Sequence, residues 1–201
     1  MGRFITKDEA MELCSQDLEE LSYHADEIRK EMCGNRFDMC AIVNARCGHC
    51  SENCRFCAQS SSSSAQIKDH PLLSAEEIAE DACRNAGQGI LRYSIVTSGR
   101  RLYSGQVDLM CDAVRLIHER CSIRVCVSFG LLDEEDFRKL REAGVSRVHN
   151  NLETSRRNFP NICTTHTYDD KIRAVKAAQA AGLAVCSGGI MGIGENSRGQ
   201  N

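Results

Sequence analysis

The chain has 201 residues, of which 42% are hydrophobic and 26% charged, and its 28 acidic and 25 basic side chains leave a net charge of −3. That length suits one well-buried domain and is short for two. No basic block offers a footprint for a phosphate backbone, and no run approaches the roughly 20 apolar residues of a membrane span. Neither nucleic acid nor membrane is therefore expected as a partner. The start, MGRFITKDEAMELCSQ, lacks the apolar core of a signal peptide, which predicts a cytoplasmic protein.

Residues 6–33 read as one or two helices. Thr6 and Glu9 form a capping-box pattern, Leu18, Leu21, Ala25, Ile28 and Met32 recur at helical spacing, and Gly34 is a natural stop. This segment, 1–36, is expected to be a helical extension serving as a lid or a dimer contact. Cys40–Ala45 is the first strand. After it comes the loop CGHCSENCRFCAQS, then five serines, Ser60–Ser64, which read as a flexible polar loop.

From there strands and helices alternate. Ser74 with Glu77 caps a helix running to about Ala86, and Ile90–Thr97 is the second strand. A helix over Val107–Arg120 leads to a third strand, Ile123–Phe129. A helix over Asp133–Ala143, closed by Gly144, leads to a fourth, Val145–Asn150. A helix over Thr167–Ala181, ended by Gly182, leads to a fifth, Leu183–Ser187. Such alternation means βαβ units around a parallel sheet with right-handed crossovers. The fold class is thus α/β, a partial TIM-type (β/α) barrel of about five parallel strands over residues 37–201, following the N-terminal helical extension. An eight-stranded barrel needs about 250 residues, so an open barrel or a fragment of a longer parent is expected. The final residues, 194–201, are polar and carry no element pattern.

The chain holds 13 cysteines. Disulfides are disfavoured in a cytosolic protein, which leaves burial or metal binding. Cys14, Cys33, Cys83, Cys111 and Cys121 fall in helix-like segments and are expected to be buried thiols without further role. Cys50, Cys54 and Cys57 differ, because they stand in C-x3-C-x2-C spacing directly after a strand. A structural zinc site takes four protein ligands, and so does a four-iron cluster with no open position. Three in one loop leave a coordination position for something else. Polar groups also gather at the carboxyl ends of the strands, where parallel α/β sheets bind ligands: Ser94, Cys126, Asn150 to Thr154, and Cys186 to Gly189.

C-x3-C-x2-C with Phe56 before its last cysteine resembles the signature of the radical S-adenosylmethionine (SAM) superfamily. RYSIVTSGR (92–100), HNNLETS (149–155), THTYDD (165–170) and VCSGGIMGIGE (185–195) are further similar to consecutive blocks of its biotin synthase family, over about Phe37 to Glu195. The resemblance implies that Cys50, Cys54 and Cys57 hold a [4Fe-4S] cluster whose fourth iron is chelated by SAM. It places Phe56 against the adenine, Asn151 and Glu153 on the ribose, and Lys171 near the SAM carboxylate, where the family commonly has an arginine. Lysine there keeps the charge without the bidentate fork. Cys126 and Cys186 match two ligands of an auxiliary iron-sulfur cluster, [2Fe-2S] or a variant. Ser94 stands in place of a third cysteine and the family's late arginine ligand lies beyond Asn201, so either another cysteine such as Cys163 substitutes, or a variant cluster is built, or the site is incomplete.

The implied reaction is reductive cleavage of SAM, hydrogen abstraction from dethiobiotin and capture of the carbon radicals by sulfur, the last step of biotin formation. A flavodoxin or ferredoxin electron donor and a homodimer are implied with it. Two alternatives stand beside this: a related radical SAM enzyme of the hydrogenase-maturation or methylornithine-forming type, and an inactive truncated fragment.

Overall fold

Short polar side chains followed three residues later by acids start three of the helices, as the sequence predicts for Thr6 and Ser74. Thr6 with Glu9, Ser74 with Glu77 and Thr167 with Asp170 each form a reciprocal capping box that satisfies free backbone N–H groups. The computed structural model describes residues 5–48 and 50–195. The polar stretch beyond Glu195 lies outside them.

The chain divides into two compact units, residues 1–38 and 39–201. The first contains α1 (Lys7–Leu13) and α2 (Leu18–Cys33), the latter capped by Asp17 and stopped at Gly34. Neither helix contains a buried residue. The second unit holds β1 (Cys40–Arg46), α3 (Ala75–Gly87), β2 (Arg92–Thr97), α4 (Ser104–Arg120), β3 (Arg124–Ser128), α5 (Glu134–Ala143), β4 (Arg147–His149), α6 (Phe159–Ile162), α7 (Tyr168–Ala180) and β5 (Ala184–Cys186).

The five strands form one sheet in the order β1-β2-β3-β4-β5, with every neighbouring pair parallel. Sequential order with helices between the strands is that of a (β/α) barrel, and among the described residues the sheet is open. This is the partial barrel expected. Register decides which side chains share a face. Ala41 pairs with Tyr93 and Tyr93 with Val125, while Val43 pairs with Ile95, Ile95 with Val127, and Val127 with Val148. Side chains alternate along a strand, so these apolar residues face one way. They pack against Ile78, Val107, Met110, Val114, Phe137 and Leu140 of the helices to make the core. The opposite face carries Asn44, Ser94, Cys126, Ser128, Arg147 and Cys186. The barrel's inner side thus carries these polar and thiol groups beside Ile42 and Val96, and the apolar core lies between sheet and helices.

Three expectations change in detail. Strands β4 and β5 have three residues each, because Val145 and Leu183 spend their N–H groups on the carbonyls of Leu140 and Ala178 at the preceding helix ends. Helix α4 begins at Ser104, since Gln106 reaches back to cap at Tyr103. Of the five cysteines expected to be buried, Cys111 alone is so; Cys83 and Cys121 are half-buried and Cys14 and Cys33 exposed. Cys14 is itself the C-cap of α1 and Cys33 the last residue of α2, at helix ends where little packs.

Candidate functional site

The loops that follow all five strands meet at one rim. Leaving β1, the chain pairs Cys47 with His70 through two 3.2 Å backbone hydrogen bonds. It then turns at Gly48, whose φ of 84° and position, with Asp69 Cβ 2.4 Å from where a Cβ would sit, leave room for no side chain. The Gly48 N–H donates to Gln59 Oε1 at 2.9 Å, and its carbonyl accepts from Ser98 Oγ at 2.8 Å after β2. Arg100, also after β2, donates to the Thr165 carbonyl at 2.6 Å. Asn150 after β4 donates its backbone N–H to the Cys186 carbonyl of β5 at 3.0 Å and its side-chain amide to the Gly130 carbonyl after β3 at 3.3 Å.

Cys50, Cys54 and Cys57 sit on this rim as free, half-buried thiols. A turn closed by the Cys57 N–H on the Cys54 carbonyl at 3.1 Å sets the last two. Asn53 clamps the loop: its amide donates to Thr164 Oγ1 at 2.6 Å, and its Oδ1 accepts the Thr164 N–H at 2.9 Å. The Arg55 N–H donates to the Ile162 carbonyl at 3.0 Å. The donor chemistry fits an iron-sulfur cluster, since three free thiols lie within eight residues, while Cys47 precedes the turn and is paired along its backbone with His70. Phe56 projects from the same loop and is 40% exposed.

The serine run is not a loose tether. Ser61 donates its N–H to the Glu52 carbonyl at 2.9 Å, Ser63 to that of Ser60 at 3.0 Å, and Ser62 Oγ bonds Ser60 Oγ at 2.9 Å. Consecutive small hydroxyl side chains here act as turn formers that brace the cysteine loop.

Across the rim, the segment after β4 runs beside the one after β5. The N–H groups of Leu152 and Glu153 both donate to the Gly188 carbonyl, at 3.0 and 3.1 Å, and Ile190 N–H donates to Glu153 at 2.7 Å. Glu153 has a positive φ of 69°, a left-handed conformation rare for a glutamate. Its side chain is hydrogen-bonded to Asn151, and burial raises its carboxyl's proton affinity against the lowering pull of Lys171. Lys171 Nζ donates to Asn150 Oδ1 at 3.0 Å. Burial lowers its pKa, while Glu153, Cys54, Cys163 and Glu52 pull it back up. Lys171 thus ties α7 to Asn150 at the end of β4, directly before the Asn151–Glu153 segment. A cavity of about 320 Å³ opens beside them, lined by Glu153, Ser155, Tyr168, Ser187 and Ile190.

On the inner face of the sheet Cys126 is buried and hydrogen-bonded to Ser94, its direct register partner. Burial raises its pKa, the Ser94 bond and the charges of Arg92 and Arg147 lower it, and Cys186 raises it again. Cys126, Ser94 and Cys186 therefore share a neighbourhood with two guanidinium groups. Cys163 does not join them. It lies with its Sγ 3.7 Å from Cys54 Sγ, beside the cysteine loop.

Sequence reasoning missed Glu52 and His166. Both are buried, and His166 Nδ1 bonds Glu52 Oε2. Hydrogen bonds from His166 and Thr165 outweigh the burial that would raise the Glu52 pKa, and burial lowers that of His166. A neutral imidazole donating Nδ1–H to a carboxylate satisfies both. The signal available was Cys163-x-x-His166, a thiol and an imidazole three residues apart.

The sequence profile of the Radical SAM superfamily matches residues 46–199. Among curated proteins, the biotin synthase of Brachyspira hyodysenteriae is 55% identical over 96% of this chain and 58% of its own length. That of Akkermansia muciniphila is 54% identical over 96% of this chain and 60% of its own length. The chain thus spans about three fifths of the length of these relatives. Among solved structures, methylornithine synthase superposes with a TM-score of 0.84 at 22% identity, over 98% of this chain and 59% of that one. The FeFe-hydrogenase maturase HydG of Carboxydothermus hydrogenoformans does so with 0.83 at 19%, over 97% and 47%. These two likenesses show the barrel fold.

Proposed function

The chain belongs to the radical SAM superfamily, and from that premise we propose that it carries the cluster-binding and SAM-binding part of a biotin synthase, acting on dethiobiotin. The carrying observation is the loop of Cys50, Cys54 and Cys57, three free thiols within the residues that the superfamily profile matches. Identity of 54–55% to two biotin synthases supports the substrate.

In this reading Cys50, Cys54 and Cys57 hold a [4Fe-4S] cluster. A bound cluster supplies the electron, delivered by a flavodoxin or ferredoxin, that cleaves SAM reductively to the radical which abstracts hydrogen from substrate. The protein's own part is placement. Lys171 offers a cation to the SAM carboxylate, and Asn151 with Glu153 accepts from the ribose diol, two polar side chains two residues apart. Phe56 offers an apolar face to the adenine. The Asn53 clamp and the serine turns hold the loop that positions the thiols. On the inner face, Cys126 and Cys186 are proposed as ligands of an auxiliary cluster, with Ser94 as the oxygen donor beside them and Arg92 and Arg147 offsetting thiolate charge. A homodimer belongs to the same proposal.

A second reading is favoured by Ser94 standing where the biotin synthase family resemblance calls for a cysteine. It is a radical SAM enzyme that inserts no sulfur, of the hydrogenase-maturation or methylornithine-forming type.

Anaerobic reconstitution with iron and sulfide tests the proposal. The chain should take up about four irons at the loop, and Cys50→Ser, Cys54→Ser and Cys57→Ser should each remove that uptake. Reduced protein should then cleave SAM, faster with dethiobiotin present, and Asn151→Ala should weaken SAM binding roughly tenfold, about 1.4 kcal/mol. Absence of iron uptake by the parent chain sinks the reading. Cleavage stimulated by an amino-acid substrate and not by dethiobiotin favours the second one.

A further inference from the structure

Cys163 has no task in the proposed cluster site, yet its sulfur lies 3.7 Å from that of Cys54. The residue is buried, and its backbone is pinned as the C-cap of α6 by an N–H bond to the Phe159 carbonyl at 2.9 Å. Four groups surround the thiol: Cys54 Sγ, Asn53 Oδ1 at 3.5 Å, Thr165 Oγ1 at 3.4 Å and His166 Nδ1 at 3.3 Å. A thiol has one proton to give, and its neighbours compete for it.

Three of them compete poorly. His166 Nδ1 bonds the Glu52 carboxylate, and a nitrogen that points its own proton there has no lone pair to accept with. Thr165 Oγ1 donates to Glu52 Oε2 at 2.8 Å and already accepts the Asn53 N–H at 3.2 Å. Asn53 Oδ1 already accepts the N–H groups of Thr164 and Thr165, at 2.9 and 3.3 Å. Cys54 is different. With both sulfurs protonated, Cys54 donates to Cys163. A cysteine that ligates metal is a thiolate without a proton, so on a cluster-bound Cys54 the bond must run the other way. That sulfur is then the one anionic acceptor of the four, and hydrogen bonds to charged acceptors are the stronger ones.

We propose that Cys163 is a positioning residue of the cluster, whose S–H donates to the Cys54 thiolate and raises the reduction potential of the bound cluster. The inference rests on the cluster reading given above. Hydrogen bonds to cluster sulfurs are among the levers that set the potential, and a donor favours the more negative, reduced form. An electron therefore enters more readily. Cys163 keeps its proton throughout and makes no bond to iron. The Asn53, Thr165 and His166 contacts keep the thiol beside Cys54, which gives the Glu52–His166 pair a share in the same task.

Redox titration of the reconstituted full chain, followed by EPR, reads the effect. At the potential where the parent is half reduced, Cys163→Ala should show a ratio of reduced to oxidised cluster at least about threefold lower, the order of one modest hydrogen bond. Cys163→Ser, which keeps a donor at that place, should return most of the way to the parent's value. Equal midpoints in the parent and Cys163→Ala refute the proposal. Loss of the cluster in Cys163→Ser refutes it too, because it would make Cys163 an iron ligand. Pulsed EPR of the reduced parent after exchange into D2O guards against an alanine variant that fails to fold or load: an exchangeable proton coupled to the cluster and kept in Cys163→Ser supports the bond, and a parent without one overturns it. A parent that takes up no iron overturns the cluster reading and this inference with it, whereas a loaded parent whose midpoint Cys163→Ala does not move overturns this inference alone.

Discussion

Tyr93 Oη donates a 2.6 Å hydrogen bond to Asp81 Oδ2, joining a fully buried ring of β2 to α3. Burial and the Asp81 carboxylate both raise the phenol's pKa, so it stays a donor throughout the range in which the protein is folded. Tyr93→Phe keeps the ring and deletes the bond. It should cost about 1 kcal/mol and lower the melting temperature by about 2–4 °C. An unchanged melt would show that the bond adds nothing over water.

Gly130 marks a place where no side chain fits. Its φ is +75°, and a Cβ there would stand 2.1 Å from the carbonyl oxygen of Arg100, the same oxygen that accepts the Leu131 N–H at 2.9 Å. Gly130→Ala should destabilise by about 3 kcal/mol or more, strain and backbone collision together. Gly87→Ala, at the end of α3 with open space around it, should be neutral or stabilise by about 0.5 kcal/mol. Urea midpoints of the two variants check the contrast, and equal midpoints would refute it.

Acid sensitivity should concentrate partly at the start of α7. The Thr167 N–H and hydroxyl both donate to Asp170 Oδ2, at 2.7 and 2.8 Å, and hold its pKa below the ordinary 3.8. A carboxyl whose folded pKa is depressed adds stability that is complete above its unfolded value and disappears as pH falls through the folded one. That contribution should therefore fade from just above 3.8 downwards. Asp170→Asn should lose about 1 kcal/mol at neutral pH and show a shallower fall of stability below pH 3.8. Chemical denaturation of both proteins across that range checks it; parallel curves would rule the capping carboxylate out as a source.

Much of this was legible in the sequence for stated reasons. Thr6 and Ser74 announced helix starts because a cap is local chemistry, and Gly144 announced a stop because its left-handed φ of 111° closes α5. The alternation of strand and helix gave the parallel sheet. Helix α6 was missed since four residues, Phe159 to Ile162, are too few to show a period. The exposure of Cys14 and Cys33 was missed because periodicity gives a face and not what covers it. Cys50, Cys54 and Cys57 announced themselves by spacing within one loop. Glu52 and His166 did not, because their meeting is made by tertiary folding alone.

The Asn53 clamp also bears on the order of events in folding. Its bond to Thr164 closes a contact across 111 residues, and the Arg55 N–H waits for the Ile162 carbonyl. Contacts of such separation form only after the intervening chain has collapsed. During synthesis, three bare thiols therefore leave the ribosome long before the partners that shape their loop exist. On the proposed reading, a cluster reaches the finished loop only after Thr164 and Thr165 have emerged.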